Sequence, residues 1–126
     1  MKGDEERVIQ AFCVFMQEQG WTTEREVDFV DVVAEKDGRR IFAEAKGRTA
    51  AIGLDVDTMF GQLLRRMPLE RPGPETRFAV VVPTEATVAV ERVPGWVRND
   101  LGIDLYVVAQ DGFVAKRKSE PPQQRR

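Results

Sequence analysis

The residues whose types and spacing suggest chemistry are Glu44 and Lys46, inside the run Arg39 to Gly47, R-R-I-F-A-E-A-K-G. Ile41, Phe42, Ala43 and Ala45 give that run the character of a strand buried on both faces. Side chains two apart on a strand share a face, so Glu44 and Lys46 are expected to project together. A carboxylate and an ammonium are costly to bury unless they pair with each other or bind something. A metal-dependent active site at the strand end would account for both. A surface ion pair between Glu44 and Lys46 is the ordinary alternative.

Upstream, V-D-F-V-D-V-V-A from Val27 to Ala34 is strongly β-branched, and Asp37-Gly38 separates it from the Arg39 run. Two such runs around a D-G turn signal a β-hairpin. Antiparallel pairing would carry Asp31 toward the Glu44 end of its neighbour, with Asp28 competing for the same role. Metal-dependent phosphodiester hydrolysis asks for two or more carboxylates to hold the ion and activate a water. It also asks for a cation that orients the nucleophile and stabilises developing charge. Asp31 and Glu44 could supply the carboxylates, the carbonyl of Ala45 a further oxygen ligand, and Lys46 the cation. Composition narrows the metal. With no histidine and one cysteine, Cys13, only oxygen ligands remain, which favours Mg2+ or Mn2+.

Asp31-Val32-Val33-Ala34 followed by Glu44-Ala45-Lys46-Gly47 resembles the PD-(D/E)xK nuclease superfamily, in compact forms such as Holliday-junction resolvases and Mrr-type restriction domains. The resemblance runs from Glu5 to about Val82, with Val30 where many members carry a proline. It implies an α/β, restriction-endonuclease-like mixed central sheet flanked by helices. It also implies an Mg2+- or Mn2+-dependent nuclease acting on DNA. Asp31 and Glu44 would be the metal ligands and Lys46 the catalytic lysine. Glu6 or Glu5 would be an additional carboxylate from the first helix, and Gln62 a site residue from the second.

The elements that would position these groups can be read from periodicity. Asp4 to Gln19 has apolar residues at helical spacing, with acids in the first turn and Gly20 as a stop. Trp21 to Arg25 reads as an edge strand or an extended connection. Asp55 to Met67 reads as a second helix capped by Asp55 or Asp57, with Pro68 at its end. Arg77 to Pro83, Ile103 to Ala109 and Phe113 to Lys116 read as strands. Residues 84–102 are ambiguous apart from a short helix that Pro94 could open. One domain over residues 1–118 and a disordered tail over 119–126 are expected. Trp21 and Trp96 each lie near element ends, where a half-buried core edge is a more ordinary role than base stacking.

The net charge of -2 argues mildly against non-specific nucleic-acid binding, yet the cations cluster. Arg48 and Arg65-Arg66 are candidate phosphate contacts beside the site, and Lys116-Arg117-Lys118 and Arg125-Arg126 could track a DNA backbone. So small a domain would need a homodimer or a partner subunit to act on both strands of DNA. No apolar run reaches membrane-spanning length, and a lone cysteine within an apolar helical pattern fits a reducing cytoplasm. The alternative from a different class is a catalytically inactive nucleic-acid-binding or protein-interaction module.

Overall fold

The computed structural model describes residues 2–118. The expected tail over 119–126, including Arg125-Arg126, lies outside the described residues. Six strands form one sheet in sequence order: β1 (Thr22–Val27), β2 (Val30–Lys36), β3 (Arg39–Ala45), β4 (Thr76–Pro83), β5 (Ile103–Val108) and β6 (Val114–Arg117). Pairing is antiparallel from β1 to β3, parallel from β3 to β5, and antiparallel again at β6. Helix α1 (Lys2–Glu18) precedes the sheet, and α2 (Ile52–Arg65) makes the crossover from β3 to β4. A 3-10 turn (Thr84–Ala86), α3 (Thr87–Glu91) and α4 (Gly95–Asp100) make the second crossover, resolving the ambiguous stretch as helical.

Alternation along the strands builds two cores. Val32, Ala34, Ile41, Ala43, Ala45, Ala79, Val81, Tyr106 and Val108 meet Val8, Ile9, Phe12, Cys13 and Met16 of α1. On the opposite face Phe78, Val80, Val82, Ile103, Leu105 and Val107 meet Val56, Met59, Phe60 and Leu63 of α2, together with Ala86 and Val90. Covered on both sides, β4 and β5 are buried almost throughout rather than alternating, with Asp104 the one acid in β5. Phe12 and Phe15 both meet the Tyr106 ring edge-on, with centroids 5.0 and 6.1 Å apart. Burial of that phenol raises its pKa to about 12.

Two boundaries differ from the sequence expectation, each for a local reason. The run Val27–Ala34 is not one strand, because the chain reverses at Asp28-Phe29, where both residues have positive φ (49° and 70°). The Asp37-Gly38 turn has the same signature (51° and 79°), the pattern that matches the right-handed twist of a hairpin. Glycine marked the second turn in the sequence; nothing marked the first. Helix α2 begins at Ile52, so neither Asp55 nor Asp57 caps it, and its N-cap is Ala51. Asp55 instead lies in the first turn, with its carboxylate accepting a bond from the Thr49 hydroxyl.

Gly47 is where β3 passes under the start of α1. A Cβ there would lie 2.6 Å from the Asp4 carbonyl carbon, and closer still to the Glu5 backbone nitrogen. The Arg48 amide bonds the Asp4 carboxylate at the same crossing. Gly61, in the middle of α2, has only the tip of Arg65 near its Cβ position, at 3.7 Å. Gly47→Ala should therefore lower unfolding stability by about 1–3 kcal/mol through overpacking against backbone. Gly61→Ala should raise it by roughly 0.5–1 kcal/mol through helix propensity. Urea unfolding of both variants checks the pair of signs.

Candidate functional site

The β2–β3 ladder runs to Val32↔Ala43, and one further step of that register sets Asp31 opposite Glu44. Both then lie on the α2 side of the sheet, the side to which Phe42 also turns. Where the backbone ladder stops, the side chain of Asp31 takes over: its Oδ2 accepts a bond from the Ala45 amide at 2.9 Å. Lys46 continues β3 along β4, its amide donating to the Val81 carbonyl at 3.0 Å. Glu5 reaches the same corner from α1. Its carboxyl pKa is raised by burial, with Lys46 opposing the shift and Asp31 and Asp55 adding to it. Asp31, Glu44, Lys46 and Glu5 thus come within electrostatic range of one another.

Glu44 is the most constrained of the group. It is 2% exposed, on a sheet face that apart from Asp31 beside it is filled here with apolar side chains. Its Oε2 accepts a bond from Arg66 Nη1 at 2.9 Å, and the same nitrogen donates to the Phe29 carbonyl at 2.7 Å. Burial first, and the nearby Asp31 charge second, push the Glu44 carboxyl up to about 7, although Arg66 and Lys46 pull the other way. Near neutral pH the group is therefore close to half ionised.

The remaining expected residues are dispersed. Glu6 faces β1, where a two-pronged bond with Arg25, 2.7 Å on each arm, holds its carboxyl below the usual range. Asp28 sits in the β1–β2 turn. Gln62 is half-buried, one helical turn before Arg66, and Arg65 is exposed on the same helix end. The Arg48 guanidinium lies 3.9 Å from Glu85. Arg117 pairs with Glu91 at 3.1 Å, and Lys116 lies 3.9 Å from Asp104. Arg66, expected as a phosphate contact, is an exposed arginine whose guanidinium also reaches in to Glu44. A contact across 22 residues between a helix end and a strand leaves no periodic trace in sequence.

Among the described residues, no group of three or more His, Cys, Asp or Glu side chains is placed to hold a metal ion. Three clefts of about 420 to 560 Å³ are lined by other parts of the chain, without Asp31, Glu44 or Lys46.

The fold is shared with two crystal structures. One is an XisH family protein from Nostoc punctiforme PCC 73102, with a TM-score of 0.60 at 20% identity, covering 86% of this chain and 96% of that one. The other is an fdxN element excision controlling factor protein from Anabaena variabilis, with a TM-score of 0.60 at 18% identity, covering 87% and 96%. No family model matches the chain, and no curated protein matches it. At these identities the likeness speaks for the fold alone.

These findings correct the expectation drawn from Asp31, Glu44 and Lys46. The architecture is that of these two structures, and the restriction-endonuclease-like assignment falls with that match. The metal-dependent nuclease reading falls as well, because no group of side chains that could hold a metal ion is assembled among the described residues. The physical reason is visible at Glu44. The spacing that looked like a ligand pair also suits a buried carboxylate neutralised from within.

The raised Glu44 pKa gives stability a pH dependence with a definite sign. The folded protein holds this proton more tightly than the unfolded chain, whose ordinary value is 4.5. Stability from this group is thus fully present below about pH 4.5 and is lost as pH rises through about 7. The loss should be on the order of 3 kcal/mol across that window. Glu44→Gln should flatten that slope, which denaturant melts at a series of pH values would measure. Arg66→Ala should move the Glu44 midpoint higher still, observable by carboxyl-carbon NMR titration.

Proposed function

We propose that this chain is a binding module that works within a DNA-processing assembly without itself hydrolysing the nucleic acid. The observation that carries the reading is the Glu44–Arg66 contact, which engages internally the carboxylate that hydrolysis would need for a metal ion. The Asp31 bond to the Ala45 amide supports it in the same way. The likeness to a protein named as an excision controlling factor supports DNA as the partner, with a second copy or a partner subunit extending a contact surface too small for both strands. No described helix is long and apolar enough to cross a membrane. Together with the buried free thiol of Cys13, this supports a cytoplasmic setting.

The test combines calorimetric titration of Mg2+ and Mn2+ with incubation of labelled duplex and junction DNA. The expected result is no saturable metal binding at millimolar ion and DNA that stays intact. Metal binding abolished by Asp31→Asn, together with strand cleavage abolished by Lys46→Ala, would overturn the reading.

A further inference from the structure

At the end of the sheet where β3 begins, the opposite end of that strand from Glu44, a cleft of about 420 Å³ opens between the end of α1 and the starts of β3 and β4. Lys36, Arg39, Arg40, Arg77 and Lys116 line it against two carboxylates, Glu75 and Asp104. The lining thus carries a surplus of three positive charges in a chain whose net charge is -2. The carboxylates do not neutralise it evenly. Asp104 is buried and taken by Arg77 at 2.7 Å, with Lys116 at 3.9 Å. Arg40 turns to Glu35 at 2.5 Å. Arg39 instead lays its guanidinium over the Trp21 ring, 5.2 Å from the centroid, and Lys36 donates to the Gln19 carbonyl at 2.6 Å. Half-buried Trp21 packs against the core on the α1 side while it also lines the cleft.

We infer that this cleft binds single-stranded nucleic acid, with Arg39 moving off the Trp21 ring onto a phosphate beside its neighbouring cations and so freeing that face of the ring for an unpaired base. Three arginines favour phosphate, because a guanidinium fork matches phosphate oxygens better than an ammonium does. An aromatic ring amid cations adds stacking that an acidic peptide would not use. The volume is that of a small-ligand pocket, suited to one nucleotide at a time and not to a duplex. The inference rests on the binding reading above for its class of partner, and it names a site that reading does not need.

The chain has two tryptophans, so Trp96→Phe on exposed α4 leaves Trp21 as the sole reporter. In that background a short oligothymidylate should change Trp21 fluorescence. The affinity should fall with salt at a log–log slope of about -1.4, as expected for roughly two neutralised phosphates flanking one nucleotide of a single strand. Arg39→Glu and Lys116→Glu should each weaken binding about tenfold or more, with the milder Arg39→Gln and a thermal melt confirming that the fold is intact. Glu44→Gln should leave the binding unchanged. Oligothymidylate binding that survives both charge reversals, or that leaves Trp21 silent, would overturn the cleft while sparing the binding-module reading. Preference for duplex DNA or for polyglutamate over oligothymidylate would overturn the choice of ligand. Absence of any nucleic-acid binding would overturn the inference outright, whereas metal-dependent cleavage would count against the proposed function instead.

Discussion

A carboxylate buried in the face of a central sheet has to be compensated, and here Arg66 does it. Its guanidinium reaches Glu44 on β3 and the Phe29 carbonyl in the β1–β2 turn, so one side chain ties the end of α2 to two places on the sheet. Removing a charge from water is unfavourable unless the geometry returns the energy through close, well-directed bonds. The Glu44–Arg66 bond is direct, but Asp31 across the ladder works against ionisation. The balance leaves Glu44 titrating near neutrality. The contact therefore reads better as a fixed and costly junction than as a large source of stability.

Around that junction the molecule divides by face and by end. The α1 face is wholly apolar between its ends, with Phe12, Phe15 and Tyr106 packed edge to face. The α2 face holds the Glu44–Arg66 pair and the β-branched core of β4 and β5. At the β3 exit, Gly47 lets the chain pass directly under the start of α1, which brings Glu5 toward Asp31 and Lys46. At the β3 entrance, cations gather around Trp21 and Asp104. Charge on the sheet thus gathers toward the strand ends, where arginines from neighbouring elements can reach the buried Glu44 and Asp104.

The chemical ambiguity of the β3 exit is instructive. Two acids and a lysine at a strand end have the same composition whether they await an ion or are satisfied by neighbours. What separates the cases is the set of other bonds each group makes. Asp31 caps an amide that the ladder leaves without a partner, and Glu44 holds a guanidinium. The cleft with a surplus of cations lies elsewhere, around residues whose sequence context gave no motif.

The sequence by itself determined the hairpin at Asp37-Gly38, the apolar runs of β3, β4 and β5, and the amphipathic faces of α1 and α2; the shared face of Asp31 and Glu44 came only with the strand register. Periodicity and turn chemistry are local, so they survive in a linear string. It misplaced the reversal at Asp28-Phe29, where no glycine marks the positive φ values, and the start of α2, which has no side-chain cap. Only the tertiary structure decided that Arg66 faces Glu44, that Glu6 belongs to Arg25, and that Trp21, Arg39 and Lys116 meet at one cleft. Those contacts join residues from about 20 to about 95 positions apart. Their existence depends on helix crossings and strand register that no short window of residues encodes.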